Sequence, residues 1–99
     1  MAYEILMAIN VIDEKSYGSY RSAMMPILES YGGRFVYDFR VSEVVKSATG
    51  EEVNRLFTIR FPDWAARERF FADADYAKVR ESLFDRSVAS KTIIAEYQT

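Results

Sequence analysis

The side chains of this chain best suited to chemistry are tyrosines and arginines. Tyr17 and Tyr20 lie one helical step apart, and Arg34, Arg40, Arg55 and Arg60 fall in two apolar stretches that also carry Asp38 and Glu43. A tyrosine hydroxyl donates to a bound oxygen, and an arginine fork grips a carboxylate with two parallel N–H groups. Arg55 or Arg60, pointed into a cleft, would suit an acidic ligand in this way. Glu43 would serve as a base if desolvation raised its pKa. Asn10, at the end of an apolar run, and Trp64, just past Phe61-Pro62, complete the set able to line a ligand site. Each has a plainer reading. Tyrosines at helical spacing make a core stripe whose hydroxyls reach a partner at its edge. Charges alternating on paired strands make cross-strand ion pairs of small energy. Asn is common where a strand ends in a turn.

Missing residue types narrow the chemistry further. The chain has neither His nor Cys. Ser–His and Cys–His catalysis, the usual zinc sites, a His-ligated haem and a disulfide framework are therefore excluded. Ser16, Ser47 and Ser87 have no oxyanion-hole motif beside them, and no glycine-rich phosphate loop or metal-spaced carboxylate cluster occurs. No metal or cofactor is expected.

Ninety-nine residues make a single domain, residues 1–99, with a thin core. The net charge of −2 and the lack of a basic run argue against a nucleic-acid partner. No stretch approaches the ~20 apolar residues that span a bilayer, and the start lacks the basic and apolar segments of an export signal. No membrane partner is expected, and the chain is placed in the cytoplasm. Aromatic residues make up 15%, more than a small core needs, a surplus that often lines pockets or interfaces.

The elements that must position these residues follow from periodicity. Tyr3 to Ile12 reads as a strand that is fairly apolar on both faces, hence central. Asp13 caps a helix carrying the stripe Tyr17, Tyr20, Met24, Ile27, Leu28 and Tyr31. Pro26 should kink it near Ser22 and Ala23, and Gly32 takes the left-handed position that ends it. Arg34 to Val45 reads as a second strand, with Phe35, Tyr37, Phe39 and Val41 on one face. A polar hairpin loop, Lys46 to Glu52, turns at Gly50. Val53 to Phe61 is the third strand, ended by Pro62. Asp63 caps a second helix from Trp64 to Ala72, Asp73 or Asp75 restarts it through Tyr76, Val79 and Leu83, and Lys91 to Tyr97 is the last strand.

The order βαββαβ is the α+β ferredoxin-like plan, with an antiparallel sheet of order 4-1-3-2 and both helices on one face. The other face would carry Leu6, Ala8, Leu56 or Phe57, and Ile93 or Ile94, according to register. So much wet apolar surface is a liability, and packing two such sheets together as a two-fold homodimer removes it.

Tyr17-x-x-Tyr20, Pro26, Tyr31-Gly32-Gly33, Glu43, Arg55, Phe61-Pro62, Ala66, Phe70-Phe71 and Tyr76, in this order, resemble the bacterial domain-of-unknown-function family numbered thirteen-thirty. The likeness runs from Tyr3 to Tyr97. It implies the dimeric α+β barrel superfamily, whose members include cofactor-free monooxygenases, haem-degrading enzymes and lactone isomerases, with a cleft between sheet and helices. It brings no settled activity. The chain departs from the family pattern at Asp38-Phe39-Arg40, where Arg-Gly-Gly is usual, and at Arg60, where Glu often precedes Phe-Pro. In the related monooxygenases a polar side chain and a Trp bind the substrate, and Asn10 and Trp64 are the nearest analogues here. The expectation is a homodimer that binds a small aromatic or acidic metabolite in the cleft, through a set drawn from Asn10, Tyr17, Tyr20, Arg40, Glu43, Arg55, Arg60 and Trp64. The alternative is a cofactor-independent monooxygenase or isomerase acting on a small ring compound.

Overall fold

Three aspartates start three helices. The carboxylates of Asp13, Asp63 and Asp73 accept from the backbone N–H groups of Ser16, Ala66 and Tyr76 at 3.0, 2.8 and 2.9 Å. Each satisfies a first-turn donor that the helix itself leaves free. The computed structural model describes residues 1–99 and places α1 at Glu14–Ser30, α2 at Trp64–Ala72 and α3 at Ala74–Val79. The first helix ends as its sequence predicts. Gly33 N–H donates to Leu28 C=O and Gly32 N–H to Glu29 C=O, both at 2.9 Å, with Gly32 at φ +75°. This pair closes the helix and turns the chain toward the sheet. A side chain at Gly33 would strike Leu28, its Cβ lying 2.4 Å from Leu28 Cδ1.

Four strands follow the expected plan: β1 (Tyr3–Val11), β2 (Arg34–Arg40), β3 (Arg55–Phe61) and β4 (Val88–Gln98), all antiparallel in the order β2-β3-β1-β4. The helices cover one face. There Ile5, Ile9, Leu28, Phe61 and Phe70 are fully buried and join Tyr17, Tyr20, Met24, Phe57, Ile59 and Tyr76 in one core. Phe57 belongs to this side and Leu56 to the other, which settles the register left open by the sequence.

Four expectations need correction. β2 stops at Arg40 instead of Val45, and β3 begins at Arg55, so residues 41–54 form one loop longer than a hairpin turn. Asn54 terminates the pairing: its side chain accepts from Val11 N–H and donates to Val11 C=O, both at 2.8 Å. β4 begins at Val88, three residues early, because Val88 pairs with Val11. Finally, β2 does not alternate evenly. Phe35 pairs with Ile59, but Tyr37 pairs with Thr58, so Val36 is an extra residue. Such a bulge turns every later side chain to the opposite face. Phe35 stays on the helix side, while Tyr37 and Phe39 pass to the open side and Asp38 and Arg40 to the helix side.

After α3 the backbone widens into a π turn, Arg80–Phe84, then a last turn α4, Asp85–Ser87. The wider turn directs Phe84 inward, 4.9 Å from the ring of Tyr20. Buried Ser87 closes the end by accepting on its carbonyl from Ile12 and Asp13 N–H at 2.8 and 3.3 Å.

Candidate functional site

The space between sheet and helices is nearly full. A cavity of about 30 Å³ remains, walled by Met7, Tyr17, Tyr20, Phe35, Tyr76 and Phe84 among others. That suits a water or two and is far short of a ring compound. Phe70 fills the cleft from α2, 4.3 Å from Tyr76 and 5.8 Å from Phe61 between ring centres. The hydroxyls of Tyr20 and Tyr76 satisfy each other at 2.8 Å. Burial raises the pKa of both phenols, so they stay protonated as donors or acceptors.

Beside this sealed core lies an open hollow of about 500 Å³, between the first half of α1 and the ends of β2 and β3. Its walls include Glu14, Tyr17, Gly18 and Arg21 from α1, with Arg40 and Arg55 from the strands. The bulge at Val36 is what turns Arg40 and Asp38 to this side. Asp38 holds two of the three arginines. Arg55 Nε and Nη2 donate to its two oxygens at 3.2 and 3.0 Å, and Arg21 Nη1 donates at 3.0 Å. Burial alone would raise the Asp38 pKa, but the hydrogen bonds from Arg55 and Arg21 outweigh it and hold the carboxyl below the usual range. The same bond raises Arg55 further.

The guanidinium planes also rest on aromatic rings. Arg21 lies 3.7 Å from the Phe35 ring centre, and Arg55 lies 5.3 Å from that of Tyr17. Two donors are left over. Arg21 Nε is buried without a partner, and Arg40 is in no ion pair. Gly18 adds room: a Cβ there would meet nothing within 4 Å. Packing therefore does not require glycine in this helix, where it costs about 1 kcal/mol relative to alanine.

The structure divides the predicted site residues. Tyr17, Arg40 and Arg55 come together at the hollow, whereas Tyr20 is in the sealed core. Arg60 lies on the open face, bound to Glu4, and Glu43 lies in the 41–54 loop over that same face. Trp64 is half-exposed in the first turn of α2, and Asn10 pairs with Ser90 near the end of β1. The strand-end role foreseen for Asn10 belongs to Asn54. Arg21, missed by sequence reasoning, is central; its signal was its place four residues after Tyr17, on the same side of α1.

The family model of a domain of unknown function, DUF1330, matches residues 1–97. The fold is similar to that of a protein of unknown function from Rhodopseudomonas palustris, with a TM-score of 0.83 at 16% identity, over 99% of this chain and 82% of that one. It is also similar to a dabb family protein with a ferredoxin-like fold from Mesorhizobium loti (TM-score 0.73, 13% identity, 99% and 96% covered). A dimeric protein of unknown function and ferredoxin-like fold from Bacteroides fragilis aligns with a TM-score of 0.64 at 10% identity, over 99% and 96%. No functionally curated protein matches the chain. No helix is long and apolar enough to cross a membrane.

Proposed function

We propose, from the premise that this chain belongs to the DUF1330 family, that it is a homodimer whose subunits each bind a small organic acid in the arginine hollow. One observation carries the ligand class. Three guanidinium groups converge on the hollow against two carboxylates, Asp38 bridging Arg21 and Arg55 and Glu14 at the wall, and Arg40 is in no ion pair. An incoming carboxylate would complete the set by taking the fork of Arg40. The apolar part of the ligand would lie against Tyr17 and Met25, which also line the hollow. Supporting the second copy are the apolar open face of the sheet and a structural neighbour described as dimeric.

Binding without chemistry is the better-supported reading. The enclosed cavity has no room for a ring compound, and no buried carboxylate faces the hollow with a raised pKa to act as a base. The test is a thermal-shift and calorimetric comparison of benzoate, 4-hydroxybenzoate and uncharged benzamide. A ligand of the folded state raises the melting point in proportion to RT ln(1 + [L]/Kd). The expected result is a rise with the acids, none with benzamide, and loss of the rise in Arg40→Gln. No response to any acid, or an equal response to benzamide, overturns the proposal.

A further inference from the structure

One face of α1 looks onto the arginine hollow. Glu14, Gly18, Arg21 and Met25 recur there at the helical spacing that sets side chains in one line. The side chain missing at Gly18 leaves open space on that line, between the carboxylate of Glu14 and the guanidinium of Arg21. Across the hollow stand Arg40 and Arg55, directly opposite each other on β2 and β3. Like charges so placed on paired strands repel. Asp38 answers Arg55 and Arg21, but Arg40 has no counterion.

Glu14 is the counterpart of Arg40 on the helix wall, and it too is in no ion pair. A carboxylate in the first turn suits the helix dipole. Asp13 already closes that end, however, accepting from the Ser16 backbone N–H at 3.0 Å and from its hydroxyl at 2.8 Å. The Glu14 charge reaches the strands. The hydrogen bond from Arg55 to Asp38 is the main cause that raises the Arg55 pKa, and Glu14 adds to it. One unanswered negative charge and one unanswered positive charge thus face the same space from opposite walls. A plain acid entering there is drawn to Arg40 and repelled by Glu14. A ligand that carries an ammonium group beside its carboxylate turns the repulsion into a second attraction.

Resting on the acid-binding reading above, we infer that the hollow selects a zwitterion, an α-amino acid with an apolar side chain, whose carboxylate takes the Arg40 fork and whose ammonium donates to Glu14. Such a molecule bridges α1 and β2 across the space at Gly18, with its side chain against Met25. The hollow, about 500 Å³, is of the size that small-ligand sites have. Glu14 then sets specificity, because Arg40 alone would accept any carboxylate.

Three ligands of one skeleton test this by calorimetry on the whole chain. They are L-phenylalanine, 3-phenylpropanoate, which lacks the ammonium, and L-phenylalaninamide, which lacks the carboxylate. At about pH 6 their amines and carboxyls are charged, as is Glu14. The wild type should bind phenylalanine roughly tenfold more tightly than 3-phenylpropanoate, the low end of what a charge-assisted hydrogen bond contributes, and should not bind the amide. Arg40→Gln should lose both carboxylates. Glu14→Gln, shown by circular dichroism to be folded, should weaken phenylalanine and strengthen 3-phenylpropanoate; general damage to the hollow would weaken both. The wild-type comparison decides even if a variant fails to fold. If 3-phenylpropanoate binds and phenylalanine binds no tighter, or if Glu14→Gln moves the two in the same direction, the inference is overturned and the acid-binding reading stands. An amide bound as tightly as phenylalanine also overturns the inference. Binding of neither carboxylate overturns both.

Discussion

The two faces of this sheet are built by the same four strands and meet opposite fates. On the helix side the side chains are sealed. Ile5, Ile9, Phe61 and Phe70 lose all contact with water, and the Tyr20 and Tyr76 hydroxyls pair. On the other side Tyr37, Phe39, Ile93 and Ile94 stay about half-exposed. A closed face has spent its apolar surface on folding, whereas an open one keeps it for association. β2 shows the division within one strand, since its bulge sends Phe39 to the open face and Arg40 to the arginine hollow.

Substitutions that act on one face and spare the other test this contrast. The largest effect belongs to the sealed side. Phe70→Ala removes a ring with no exposure that touches Phe61, Phe71 and Tyr76, and should cost about 3–5 kcal/mol. Urea unfolding at fixed protein concentration measures it; a loss under about 1 kcal/mol would mean that the cleft is not a packed core. Next comes the open side. Phe39→Glu should leave the subunit folded and dissociate the proposed homodimer, because an aromatic anchor that an interface buries is worth about 2 kcal/mol or more and a two-fold counts it twice. The expected weakening is roughly a thousandfold, read by sedimentation equilibrium. A comparable loss of subunit stability with the mass unchanged would erase the distinction between the faces.

Gly18→Ala sharpens the comparison within the helix side. It should raise stability by about 1 kcal/mol through helix propensity and weaken acid binding by narrowing the hollow. A stabilised variant with unaltered affinity would show that the ligand does not approach α1 there.

The smallest effect is electrostatic. The Tyr31 hydroxyl donates to Asp73 at 2.6 Å, and this bond, the largest cause, lowers the Asp73 pKa. A carboxyl depressed in the folded state contributes stability above its ordinary pKa and loses that contribution as pH falls through its folded value. Tyr31→Phe should therefore be slightly less stable than wild type at neutral pH, with the difference shrinking below about pH 4. Melting curves across that range would show it; a gap that widens on acidification would contradict the assignment.

Much of this was legible from residue types alone. Asp13, Asp63 and Asp73 announce helix starts, Gly32 a helix end and Pro62 a strand end, because capping and proline chemistry act within four residues. The sheet order followed from the element order. The site was less legible. Tyr17, Arg40 and Arg55 were named, but so were Glu43, Arg60 and Trp64, which lie elsewhere. Nothing local to Arg21 or Asp38 marks them as partners, and Phe84 reaches the core only through a π turn.

By itself the sequence determined where the helices start and the first one ends, which helix stripes are apolar, and that His and Cys chemistry is absent. The tertiary structure decided which face each β2 residue occupies. One extra residue at Val36 reverses the alternation, and where a bulge falls depends on the pairing partner in β3, distant in the chain and set by packing.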